Sequence, residues 1–255
     1  VYFYLDTKIL ANAAKLFNKQ EDYEHYQALA EKIRQAINDK YLNRETGIYA
    51  SGVQTELSVP LMWGIVPKDM KAKVARNLAK KVEEAGFHLD VGVLGAKAIL
   101  NALSENGEAE TAYKVAAQDT YPSWGCWIAN GATTLLENWD LNATRDISDN
   151  HMMFGEIGGW FFKGLGGIKP DPEAPGFKHI LLRPNFVGPE EFEASHDAPC
   201  GRIVSAWTRR GNTVTYRVRI PANSTATLYL PANVDGGKVH QLGAGSHTLT
   251  LRVAK

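Results

Sequence analysis

Over roughly the first two thirds of the chain the apolar residues return every three or four positions; after that they return every second position. Leu10, Ala13, Ala14 and Phe17 fall on one stripe and Tyr26, Leu29, Ile33 and Ile37 on the next, the spacing of amphipathic helices. The same rule predicts further helices at about 54–63, 69–84, 91–104, 107–117, 130–138 and 152–165. Short polar or glycine-bearing breaks, "NKQED", "VPKD" and "SENGE", predict tight connections and hence antiparallel helical hairpins. Periodicity alone does not decide whether the hairpins close into a toroid, open into a solenoid or form a bundle, and no consensus of the common helical repeats is visible.

Beyond Ile168 the stretch "KPDPEAPG" reads as a proline-rich linker, and alternation begins. "GRIVSAWTRRGNTVTYRVRI" predicts two strands joined at Arg210 to Asn212, with Val204, Ala206, Val214, Tyr216 and Val218 on alternating positions. "STATLYLPA" and "HTLTLRVAK" continue the pattern. The expectation is an α+β chain in two parts: a helical domain over 1–168 and a small antiparallel β-sandwich over 169–255.

Composition narrows the function. Lysine plus arginine equals aspartate plus glutamate at 28 each in 255 residues, so no net field favours nucleic acid or an anionic membrane. No stretch approaches the roughly 20 apolar residues of a membrane span. The two cysteines, Cys126 and Cys200, lack the spacing of a zinc set or a redox pair and are expected as free thiols. No acidic loop has calcium-ligand spacing, so no metal is expected. The start, "VYFYLDTKIL", reads as the interior of a domain, so a longer parent protein is expected.

Candidate chemistry concentrates between "YPSWGCWIANGATTLLENWD" and "SDNHMMFGEIGGWFF". Sugar sites combine flat apolar rings with a few placed carboxylates and amides, and Trp124, Trp127, Trp139, Glu137 and His151 are residues of those types. Trp127, Trp160 and Phe161 are assigned to packing; Trp124 either packs or stacks on substrate. Glu137 is either a solvated acid on a short helix or, given Leu135, Leu136 and Trp139 around it, a general base. Asp90, at a predicted helix start, either caps it or binds a sugar hydroxyl, and His88 is structural or lines the site. Glu156 reads as a surface acid or one supporting the site from behind.

"YPSWG", "GATTLLENWD", "DNHMMFGEIGGWFFKGLGGI" and "PGFKHILLRPNF", in this order, resemble the C-terminal part of the bacterial α-L-rhamnosidases of glycoside hydrolase family 78. The stretch from "HLDVGVLGAKAIL" to "YPSWG" is similar to that family as well, so the resemblance covers essentially the whole chain. It implies an (α/α)6 toroid followed by a β-sandwich, and hydrolysis of terminal α-L-rhamnosides with inversion, a mechanism that requires no cofactor. The glutamate of the family's "TTxxE" motif, its general base, matches Glu137. The histidine of its "NH…FG" motif, which lines the rhamnose pocket, matches His151, and Trp124 of "PSWG" supplies an apolar wall near the sugar. Trp139, Asp90 and His88 complete the expected substrate-binding set.

The chain departs from the family in one respect that bears on mechanism. The family's general acid lies on an upstream acidic, arginine-containing loop followed by a tryptophan and Gly-Asp, and nothing here matches it. About eight helices are predicted where the toroid has twelve. The resemblance therefore implies a rhamnose-containing glycoside or oligosaccharide as substrate and a missing N-terminal part of the same protein as partner. Apolar faces left without that part imply self-association, rearrangement or marginal stability. Leu136 replaces a frequent aromatic, and Met152 and Met153 replace the residues usual after the histidine. The competing reading is a helical carbohydrate-binding or scaffolding module without catalysis.

Overall fold

A computed structural model describes residues 1–254. Helices α1 (Tyr2–Leu16) and α2 (Gln20–Tyr41) form a long hairpin that leads into a two-stranded ribbon of β1 (Leu42–Asn43) and β2 (Ile48–Tyr49). Five more helices follow: α3 (Gln54–Met62), α4 (Lys71–Glu84), α5 (Val93–Glu105), α6 (Ala109–Ala116) and α7 (Trp124–Ala129). After an irregular stretch, a 3₁₀ turn at Met152–Phe154 leads into α8 (Glu156–Trp160), which tightens into a π-turn at Phe161–Leu165.

Helix α5 is the centre of this half. Nine of its 13 residues are buried, including Ala98, Ile99, Leu100 and Leu103 at zero exposure, as expected of a helix apolar on every side. Around it α4 turns in Val74, Ala75, Leu78, Ala79 and Val82 at helical spacing and leaves its lysines in water. Helix α1 departs from the predicted stripe. Tyr4, Thr7, Ala11 and Ala14 face inward, whereas Leu10 and Phe17 point out, 47% and 76% exposed. The small residues let α1 lie close on α2, and that contact sets the rotation of the helix in place of the larger apolar side chains. Phe3, Ile9 and Leu16 share the outward face with Leu10 and Phe17.

The second half packs two four-stranded sheets face to face around one apolar core. One sheet, in the order β10–β7–β6–β5, is antiparallel and comprises β5 (Glu191–Ala198), β6 (Gly201–Arg210), β7 (Thr213–Ile220) and β10 (Gly245–Arg252). The other comprises β3 (Ile168–Pro170), β4 (His179–Leu182), β8 (Thr225–Tyr229) and β9 (Val239–Leu242) and contains one parallel pair, β4 with β8. The β6–β7 hairpin turns at Gly211 and Asn212, and its register pairs Trp207 with Tyr216 and Ser205 with Val218. The core-facing set on β6 is therefore Ile203, Ser205 and Trp207, while Val204, opposite Arg219, lies on the other face and is only half-buried.

The two halves are stitched by hydrogen bonds at the π-turn. Asn185 Nδ2 donates to Gly164 O at 2.9 Å, Trp207 Nε1 to Leu165 O at 3.2 Å and Ser205 Oγ to Gly166 O at 2.6 Å. These donors satisfy carbonyls that the last turn of a helix leaves without partners. Gly188, at φ +82°, lies against the Tyr113 ring, where a Cβ would come within 2.3 Å of a ring carbon.

Candidate active site

The helix expected at 130–138 is absent, and Glu137 lies in irregular backbone that runs from Asn130 to His151. The sequence explains why. Gly131, at φ +88°, ends α7 by turning the chain away. Asn138 then accepts from the Asp140 N–H, and Asp140 from the Asn142 N–H, both at 2.9 Å, so short polar side chains take the donors a helix would need.

Two rungs hold the segment in shape. Glu137 N–H donates to Ser148 O at 3.0 Å, and His151 N–H donates to Leu135 O at 2.8 Å. The Thr134 hydroxyl adds a bond to Asp149 O. These contacts set the strips 134–137 and 148–151 side by side, and so bring together the two polar residues that the sequence motifs had kept 14 positions apart. Glu137 Oε1 lies 3.5 Å from His151 Nε2, each side chain 28% exposed, while Glu137 Oε2 accepts from the Ser148 N–H at 3.2 Å. His151 Nδ1 is buried without a partner among the described residues. A carboxylate held by backbone on one oxygen and open beside an imidazole on the other is placed to take a proton from a water molecule.

Beneath this pair lies an aromatic cluster. Trp139 stacks on Trp127 at 4.5 Å between centroids and meets Trp124 and Phe154 edge-on at 5.3 and 4.6 Å. Every indole N–H of the cluster is used: Trp139 donates to Val91 O at 2.6 Å, Trp124 to Phe154 O at 3.0 Å and Trp127 to Trp139 O at 3.3 Å. Trp124 is 4% exposed, which corrects the expectation of a ring face open to a sugar: it is floor, locked by its own hydrogen bond and by Trp139. Trp139, half-buried, remains nearer the surface. Phe154 is the member the sequence reading did not single out; its signal was its place three residues after His151 in the same motif.

The remaining candidates divide. Asp90 is no helix cap, since α5 begins at Val93 after Gly92. Its backbone N–H donates to Gln54 Oε1 at 3.0 Å, Gln54 in turn donates to His88 O at 2.9 Å, and its carboxyl stands one residue from the carbonyl that anchors Trp139. Burial pushes the Asp90 carboxyl above the usual aspartate range, with Lys81 opposing and Glu56 adding to the shift. His88 is engaged locally, Nδ1 with Ala85 O at 3.1 Å and Nε2 with Thr120 Oγ1 at 2.8 Å, and reads as structural. Glu156 binds Lys163 Nζ at 2.8 Å and Asn101 Nδ2 at 2.9 Å and is occupied as a packing ion pair. Both cysteines are free, with Cys126 buried.

A cleft of about 640 Å³ lies elsewhere, between the helical half and the sheets.

Residues 1–165 match the bacterial α-L-rhamnosidase 6-hairpin glycosidase domain, and residues 167–245 match the bacterial α-L-rhamnosidase C-terminal domain. An α-L-rhamnosidase of Formosa agariphila is 29% identical over 240 residues, covering 91% of this chain and 26% of its own length. Among solved structures, an α-L-rhamnosidase from Dictyoglumus thermophilum aligns at a TM-score of 0.87 with 32% identity, over 98% of this chain and 31% of that one. A Streptomyces avermitilis α-L-rhamnosidase complexed with L-rhamnose aligns at 0.86 with 27% identity, over 98% and 26%. The chain thus spans about a quarter of the length of the curated relatives it matches.

Proposed function

The chain belongs to the bacterial α-L-rhamnosidase family, and on that premise we propose that its residues form the base side of an inverting α-L-rhamnosidase site. The observation that carries the reading is the pairing of Glu137 with His151 across two backbone rungs above an aromatic floor. Glu137 takes a proton from water as that water attacks the anomeric carbon. His151, whose Nε2 faces the same oxygen, orients the carboxylate and hydrogen-bonds the sugar. Asp90 and Trp139 flank the bound rhamnose of a plant or pectic glycoside.

Inversion needs a second carboxyl roughly 6.5–9.5 Å from the first, to protonate the leaving oxygen from the opposite face. Glu156 is tied into an ion pair, and no loop of these 255 residues matches the family's acid pattern. The acid is therefore supplied by residues outside this chain, in keeping with its covering about a quarter of its relatives.

The test is hydrolysis of p-nitrophenyl α-L-rhamnoside by this chain, by a chain extended upstream, and by the extended Glu137→Gln variant. The expected result is turnover by the extended chain alone, with the substitution lowering kcat by roughly 10²–10⁴-fold, the worth of general-base catalysis. Proton NMR of the first product should show the inverted anomer. Turnover by the short chain would place the acid within it and overturn this reading, and retention of configuration would overturn the mechanism.

A further inference from the structure

The cleft of about 640 Å³ lies at the junction of the two halves. Lys163, Lys169, Arg183 and Arg209 line it against Glu105 and Glu110. Lys169 is committed to Glu105 at 2.6 Å and Lys163 to Glu156 at 2.8 Å. The two arginines have no carboxylate within 4 Å among the described residues. Arg209 is fixed by donating Nη1 to Phe186 O at 2.9 Å and Nε to Gly211 O at 3.2 Å. Arg183 stands over the Tyr229 ring, its Cζ 4.3 Å from the centroid. A guanidinium oriented on an aromatic face keeps its in-plane N–H fork free, the geometry that receives a carboxylate through two parallel bonds.

We propose that this cleft is a second carbohydrate site, which binds a carboxylate-bearing sugar, a uronate, of the same glycan chain that supplies the rhamnose. The anion follows from the unpaired guanidinium groups. The sugar follows from the apolar walls of Pro184, Tyr229 and Pro231 beside the Asn185 and Asn233 amides, and it rests on the rhamnosidase reading above. The position fits a distal site. Asn101 and Ser104 line the cleft near the C-terminal end of α5, whereas Trp139 is anchored at Val91, just before its other end. The run of α5 from Val93 to Asn101 and Ser104 separates the two by on the order of 15 Å, a few sugar units along a chain.

The experiment is calorimetric titration of this chain with a defined oligo-uronate, with a neutral oligosaccharide of equal length and with inorganic sulfate, repeated for Arg183→Gln and Glu137→Gln. Arg183 is exposed, so its replacement is expected to leave the thermal midpoint in place; Arg209→Lys, which keeps the charge but loses the fork, serves as a second variant. The proposal expects uronate binding that weakens roughly tenfold or more in Arg183→Gln and Arg209→Lys and is unchanged in Glu137→Gln. Equal binding of sulfate, equal binding of the neutral sugar, or indifference to both arginines would overturn it. Rhamnoside hydrolysis by the extended chain is read separately, so absence of uronate binding by the parent chain with hydrolysis intact refutes the second site alone.

Discussion

Asp90 and Glu56 are both acids near the start of a helix, yet the fold treats them oppositely. Asp90 is exposed as a residue, but partial desolvation of its carboxyl raises its pKa, so folding mildly disfavours the ionised form above the folded pKa, and the penalty fades as pH falls through that pKa. Asp90→Asn should therefore raise the thermal midpoint at pH 7, and the gain should vanish near pH 3, where both side chains are neutral. An unchanged or lowered midpoint at pH 7 would refute this. For Glu56, burial pushes the pKa up, but the Ser51 hydroxyl and the backbone N–H groups of Val53, Ser51 and Gly52 outweigh it, leaving the pKa lowered. Its contribution is present above the ordinary glutamate range and is lost as pH falls through the folded value. Glu56→Gln should cost about 1 kcal/mol at pH 7, as loss of an N-terminal helix bond does, and less in acid, as denaturant titration at two pH values would show.

At the scale of elements, α3 to α6 were legible because apolar residues recur through each at helix length, and some have a clear stop, such as Gly86 after α4 and Gly107 after α5. Two elements were not. In α1 the alanine face packs and the aromatic face does not, a choice that depends on what α2 offers and not on the stripe itself. In 130–138 the run Leu135, Leu136, Trp139 resembles a helix face, but side chains at Asn138 and Asp140 capture the backbone, and both residue types and spacing were there to be read. The motif identified Glu137 and His151; only the fold shows that Ser148, immediately before the second motif, holds the carboxylate. Ser148→Pro removes the N–H that Glu137 Oε2 accepts and should lower kcat of the extended chain roughly tenfold while shifting global stability little. A kcat within twofold of the parent would show that this bond does not position the base.

For the whole molecule, the π-turn carbonyls and the Gly188–Tyr113 contact make the halves one unfolding unit. Gly188→Ala combines a backbone conformation alanine rarely adopts with a clash against Tyr113 and should cost about 2–3 kcal/mol, read as a lowered or split calorimetric transition. An unsplit transition at the parent temperature would show that the junction yields. The outward face of α1, with Leu16 81% and Phe17 76% exposed, should drive this chain, studied alone, to associate with a second copy. Light scattering should report a mass that falls toward the monomer in Leu16→Glu/Phe17→Glu. The stitched junction also bears on how such proteins diversify. A recombination point at Gly167, where the composition changes, would part the carbonyls of Gly164, Leu165 and Gly166 from Asn185, Trp207 and Ser205, which complete them from up to 42 residues downstream. Lineages exchanging the sheet half must inherit those three donors with it, or rebuild the end of the helical half from new residues.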